Sequence, residues 1–82
     1  MAFTDFTNAD FRDADLTGTI LSDANLNNAD FRDADLTNAN LRYADLTNAD
    51  FSYATVTNAV FTSTTWSNTI WTDGVAYNTN QA

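Results

Sequence analysis

Bulky apolar side chains stand at Phe6, Phe11, Leu16, Leu21, Leu26, Phe31, Leu36, Leu41, Leu46, Phe51, Val56, Phe61, Trp66 and Trp71, every fifth position without a gap. Two residues before each stands a small one. It is alanine at Ala9, Ala14, Ala24, Ala29, Ala34, Ala39, Ala44, Ala49, Ala54 and Ala59, and threonine at Thr4, Thr19, Thr64 and Thr69. Neither regular period accounts for this. An amphipathic helix places apolar residues about 3.6 apart, and a step of five winds the stripe around the cylinder. A strand alternates with period two. The small and bulky residues of one unit share a face, but the odd step to the next unit turns it outward if the strand runs on. The chain therefore has to turn a corner in every unit. Asn, Asp, Gly and Thr fill the two remaining slots and suit such corners.

A longer period sets the circuit. Asn8–Thr17 reads NADFRDADLT, Asn28–Thr37 repeats it letter for letter, and Asn48–Thr57 is a diverged copy, NADFSYATVT. Four units per repeat predict a square coil, with coils stacked about 4.8 Å apart. The run of units predicts about three and a half coils and a prism roughly 17–20 Å tall at that spacing. Inward columns follow: Phe11, Phe31, Phe51 and Trp71; Phe6, Leu26, Leu46 and Trp66; Leu16, Leu36 and Val56; Leu21, Leu41 and Phe61. At about 1.5–3 kcal/mol per buried Leu or Phe, these supply a core. The small slot has to stay small because the interior is narrow.

The unit Ala-(Asp/Asn)-(Leu/Phe)-x-x, unbroken from Thr4 to Asp73, resembles the pentapeptide repeat family of bacterial and cyanobacterial type. The segment TTWSNTIWTDG, Thr64–Gly74, is similar to a final segment of bacterial members, with Trp71-Thr72 where Cys-Pro is common. The resemblance implies an all-β fold, a right-handed quadrilateral parallel β-helix, and its handedness comes from the resemblance alone. One domain is expected over residues 1–82, with repeats over 4–73 and a short cap or tail over 74–82.

Composition narrows the chemistry. The 82 residues carry a net charge of −8, with no Cys, no His and no Pro. Disulfides and thiolate metal sites are excluded, and the commonest general base is missing. All the acids are Asp and all the bases Arg. No apolar run reaches the roughly 20 residues of a membrane span, and Met1–Asp10 shows no signal-peptide pattern. No basic patch argues for nucleic-acid binding. Asp10, Asp30 and Asp50 line one face with Asp13 and Asp33, and Arg12 and Arg32 stand between them. Paired carboxylates can serve acid–base catalysis or bind calcium. A repeated unit produces such a column without either, and no Lys, His or Cys completes a constellation. The face is read as solvated and Arg-compensated. No catalytic, metal or cofactor-binding residue is expected, and the chain is read as a non-enzyme. Asn8, Asn28, Asn48 and Asn68 are expected to form an amide ladder at one edge.

The charge is uneven. Residues 1–50 hold every acid except Asp73, and Phe51–Thr72 carries no charge. In that stretch the outward slot before the bulky residue becomes apolar at Val60 and Ile70, and then at Val75; Ile20 is the early exception, on the face of Val60. Such a patch reads as a partner surface, or as a terminal coil packed under its own tail. Solenoid ends expose open strands unless capped. Phe3 is placed to cover the first coil, and Trp66, Trp71 and Tyr77 the last; otherwise the ends are occupied by another copy. The leading reading is a structural repeat protein that self-associates through its ends and its uncharged C-terminal coil, as a dimer or a head-to-tail fibril. The alternative, which rests on the resemblance, is an acidic DNA mimic acting on gyrase or topoisomerase. A third is a module of a larger protein displaying a surface to another protein. Richness in Thr and Asn without Lys or Glu leans toward a surface or exported protein. No Asn-x-Ser/Thr sequon occurs, and the Thr-rich stretch from Thr62 to Thr72 is read first as β-solenoid threonine ladders and only second as a site for O-linked sugar.

Overall fold

The five-residue step resolves into one conformational demand per unit. In the computed structural model, which describes residues 4–82, the second residue after each bulky one takes a positive φ near 60°, from Asn8 and Asp13 through Asn58 and Ser63 to Asn68. Its successor's N–H donates back to the bulky residue's carbonyl, as in Ala9 to Phe6 (2.9 Å) and Ala34 to Phe31 (3.0 Å). Positive φ at the third turn residue alone is the type II pattern. Asn, Asp and Gly tolerate that left-handed region best, which explains their hold on this slot.

The outward slot before the bulky residue locks the same corner from the other side. The side-chain Oδ1 of Asp5, Asp10, Asp15, Asn25, Asp30, Asp35, Asn40, Asp45 and Asp50 accepts the N–H two residues on, at 2.9–3.1 Å. This is an Asx turn. Asp and Asn dominate because each one satisfies a corner amide that the coil ladder does not use.

Corners repeated in this way make a closed circuit. Parallel bridges join Asp5 to Asn25, Asp10 to Asp30, Asp15 to Asp35 and Ile20 to Asn40, and go on in the same register to Asp50 and Ile70. Each coil is thus four units, and the chain is a right-handed quadrilateral β-helix. Principal extents are 28 × 22 × 21 Å. At the C-terminal end the direction reverses. Strand β1 (Thr69–Ile70) pairs antiparallel with β2 (Ala76–Tyr77) around Gly74, whose φ is +79°.

The inward columns form as the spacing predicts. Phe31 lies between Phe11 (centroids 5.0 Å apart, interplanar angle 12°) and Phe51 (4.6 Å, 2°). Leu26, Phe31, Leu36, Leu41, Leu46 and Phe51 are fully buried, together with the alanines Ala24 to Ala49 of the small slot. The core is shorter than the run of bulky residues, however. Phe6, Phe11 and Leu16 in the first coil, and Val56 and Trp71 in the last, are only half-buried, because each lacks a coil on one side. The Asn ladder is also narrower than expected. Its asparagines stand at the corners for their φ, and an amide-to-amide bond joins Asn68 to Asn48 alone, at 3.4 Å, among the described residues.

Candidate functional site

Stacking turns single residues into four outward columns. They are Asp5–Asn25–Asp45–Thr65, Asp10–Asp30–Asp50–Ile70, Asp15–Asp35–Thr55 and Ile20–Asn40–Val60. The second is the acidic face singled out from the sequence. Arg12 Nη2 meets Asp10 Oδ2 at 2.8 Å, and Arg32 Nη2 meets Asp30 Oδ2 at 2.7 Å. Each arginine Nε also donates to Oδ1 of the same carboxylate, at 2.9 Å. Arg12 reaches up a coil to Asp30 Oδ2 at 3.8 Å. The bond from Arg12 holds the Asp10 carboxyl down at about 2, and that from Arg32 lowers Asp30. Both act on exposed or half-exposed groups, so solvent screens them and they contribute little stability. Carboxylates held this low and already bonded are poor proton carriers near neutral pH. Asp50 Oδ1 accepts from Ser52 Oγ (2.6 Å), while Asp13 and Asp33 stand exposed at positive-φ corners. The five acids thus share a face without converging on a cleft. Among the described residues, no group of three or more His, Cys, Asp or Glu side chains is arranged to hold a metal ion.

The apolar outward residues do not form the single patch that the sequence suggested. Ile20 (59% exposed) is separated from half-buried Val60 by Asn40. Ile70 tops the acidic column, on the opposite side of the square. Val75 is exposed within the β1–β2 connection, where its carbonyl accepts from Trp71 N–H. Phe3 lies outside the described residues.

Trp66, expected as a contact residue, is buried, with its Nε1 donating to Thr64 Oγ1 at 2.8 Å. Trp71 is half-buried and packs on Trp66 (5.0 Å), Phe61 (5.1 Å) and Phe51 (5.5 Å). The last coil therefore closes with its own aromatic cluster, and Trp66 keeps almost no surface for a partner. Buried Thr69, in the small slot, donates its hydroxyl to Leu46 O at 2.7 Å.

The tail completes part of this closure. Tyr77 packs against the core and donates its hydroxyl to Asp73 Oδ2 at 2.7 Å, which lowers Asp73 and raises Tyr77. Asn78 Oδ1 accepts from Asn68 N–H at 2.7 Å, and Asn80 Nδ2 donates to Phe61 O at 2.7 Å. Between tail and coil lies an open groove lined by Ala59, Val60, Phe61, Thr62, Asn80 and Ala82. Sequence reasoning missed these two asparagines. It also missed Tyr43 and Tyr53, exposed aromatics at positive φ (both 62°) where the neighbouring units carry Asn, Asp or Gly. The five-residue register would have found the tyrosines, because they break the slot's rule.

Two sets of main-chain groups stay open. In the upper coils Asn25, Asp30, Asp35 and Asn40 N–H donate to the coil below. The same slot in the first coil, Asp10, Asp15 and Ile20, has no backbone acceptor among the described residues. At the other end, Val56, Asn58, Phe61 and Ser63 N–H lack the upward acceptor that Leu36, Asn38, Leu41 and Tyr43 have, again among the described residues.

A comparison with curated protein sequences gave no match. Solved structures do match. A pentapeptide repeat protein, Rfr23, of the cyanobacterium Cyanothece 51142 is similar over 82% of this chain and 46% of its own, with 29% identity and a TM-score of 0.79. A pentapeptide repeat protein of the Arabidopsis thaliana thylakoid lumen is 35% identical over 90% of this chain and 48% of its own, with a TM-score of 0.58. HetL of Nostoc sp. strain PCC 7120, involved in heterocyst differentiation regulation, is 28% identical over 89% and 38%, also with a TM-score of 0.58. The chain spans less than half the length of each. The model of the pentapeptide repeat region matches residues 4–78, and with that match, the bridge register and the Asx-locked corners in agreement, the chain belongs to the pentapeptide repeat family.

Proposed function

We propose that this chain is a non-catalytic structural module that associates with itself through the ends of its solenoid. The observation that carries the reading is the pair of open ladder ends. The Asp10, Asp15 and Ile20 N–H groups at one end, and Val56, Asn58, Phe61 and Ser63 N–H at the other, have no backbone acceptor among the described residues. Half-buried Phe6, Phe11 and Leu16, and half-buried Val56 and Trp71, lie beside them. An unpaired edge over an incompletely covered core is a template for pairing with another chain. The tail satisfies none of these N–H groups; its bonds go to Asn68 N–H, Trp71 N–H and the Phe61 carbonyl instead. Sedimentation velocity across the micromolar to millimolar range tests the reading. A mass that rises with concentration is expected, and a constant monomer mass overturns it.

The exposed carboxylate columns favour a second reading, an acidic DNA mimic acting on gyrase. Against it, Arg12 and Arg32 neutralise part of the acidic column, and the last coil carries no charge in its outward slots. A supercoiling assay decides this one. Inhibition of gyrase at micromolar protein would establish it, and no effect would retire it.

A further inference from the structure

The two ends differ in charge, and that difference selects a polarity. The outward slots of the first coil are Asp5, Asp10, Asp15 and Ile20, and those of the last are Thr55, Val60, Thr65 and Ile70. Two copies meeting by their first coils would set like carboxylates against each other in at least two of the four columns. Such contacts are disfavoured and exclude a partner orientation. A first coil laid on a last coil sets each Asp against Thr or Val instead, and Ile20 against an apolar or hydroxyl slot. Building on the self-association reading, we infer that the occupant of the C-terminal end is the first coil of a second copy, stacked head to tail.

The repeat fixes the register. The last unit ends at Asp73, so the second copy's Thr4 unit follows it without a step. Counting units, that copy's Asp5, Asp10, Asp15 and Ile20 then lie one coil above Thr55, Val60, Thr65 and Ile70. Val56, Asn58 and Phe61 N–H face the second copy's Asp5, Thr7 and Asp10 carbonyls, which accept no backbone bond among the described residues. In return, its Asp10 N–H faces the Ala59 carbonyl. The groove lined by Ala59, Val60, Phe61 and Thr62 is the seat of that Asp10 unit. Its Phe6 covers Val56, and its Ile20 stacks on Ile70.

The chain's own tail occupies part of the end that this stacking needs, over Thr69–Ile70 and along one side of the groove. Val75–Tyr77 folds back on Thr69–Ile70, and Asn78 and Asn80 fasten the rest across the coil. Tail and second copy therefore compete, and stacking requires the tail to leave. The contact is heterologous and does not close, so its product is a filament rather than a dimer.

The chain has no cysteine, which makes cross-linking clean. Full-length Ile20→Cys and Ile70→Cys are mixed, mildly oxidised and run without reductant, beside each variant alone and beside sedimentation of the unmodified chain. A disulfide formed in the mixture but not by either variant alone is the expected result. Disulfides within one variant alone, or a mass that rises with no mixed disulfide, overturn the polarity and register while leaving self-association standing. A constant monomer mass overturns both. Asn78→Ala with Asn80→Ala, checked for the fold by circular dichroism, should strengthen association by roughly tenfold as fastening bonds are lost. Unchanged or weaker association would show that the tail does not compete.

Discussion

Phe31→Ala tests the stacked core at its centre. Phe31 is fully buried, with near-parallel rings at 5.0 Å below and 4.6 Å above. Removing it loses the transfer free energy of the ring, leaves a cavity and breaks two stacks. Truncating a buried Phe costs about 3–5 kcal/mol, and tight coils leave little room for collapse, so the upper part of that range is expected. A small domain has about 5–15 kcal/mol to lose. The melting temperature should fall by at least roughly 15 °C at about 4–8 °C per kcal/mol. Phe11→Ala is the internal control. It lies in the same column and touches Phe31 and Phe6, but it is half-buried, so water fills the space it leaves. Its cost should be about half as large. Urea unfolding followed by circular dichroism, and by the fluorescence of Trp66 and Trp71, measures both variants. Equal costs, or a cost below about 2 kcal/mol for Phe31→Ala, would refute a core built by column stacking.

Ala34→Leu puts a branched side chain into the narrow interior, where Ala34 is 1% exposed; overpacking should cost about 1–3 kcal/mol or more, read from the urea midpoint. Tyr53→Asn removes a 79% exposed aromatic from a φ of 62°, and should stabilise the chain by about 0.5–1 kcal/mol in the same assay. Thr55→Asn installs the missing Asx acceptor above Asp35 without adding charge, and is expected to gain up to about 1 kcal/mol, while Asp35→Ala loses a similar amount. For pH, Asp5, Asp10, Asp15, Asp30, Asp45 and Asp73 are all lowered from 3.8. A lowered carboxyl contributes stability above its unfolded value and loses it as pH falls through the folded one. Thermal melts should therefore weaken as pH drops below 3.8 toward the Asp10 value of about 2. A melting temperature that rises through that window would mean that relief of acidic repulsion outweighs the corner bonds.

The fold was legible because its determinants are local and repeated. One unit shows the small and bulky slots, and two shared decapeptides give the circuit before any contact is known. The corner residues were legible in type but not in role. Spacing alone does not say that Asp35 accepts the Thr37 N–H, or that Asn38 is needed for its φ of 62°. The apolar patch failed for a different reason. Val60 and Ile70 are ten residues apart, which is half a circuit and places them on opposite faces, so similar slots close in sequence need not be neighbours. The ends were the least legible part, because periodicity stops there and side-chain chemistry takes over. Asn78 and Asn80 satisfy the last coil through amides that no repeat rule specifies.

That loss of periodicity also bears on association. A periodic solenoid makes every coil's upper edge fit every coil's lower edge, so its ladder alone cannot choose an orientation or a stopping point. Selection has to come from whatever breaks the period. Three features do so: outward-slot acids that stop at Asp50, uncharged outward slots above it, and a tail that turns antiparallel at Gly74. The first two penalise one orientation by like-charge contact, and the third competes for the remaining edge. A chain that kept Asp in all its outward slots would repel copies at both ends. One that kept Thr and Val throughout would pair without polarity. The gradient from Asp10 to Ile70 along a single column is what makes the two ends of this prism different surfaces.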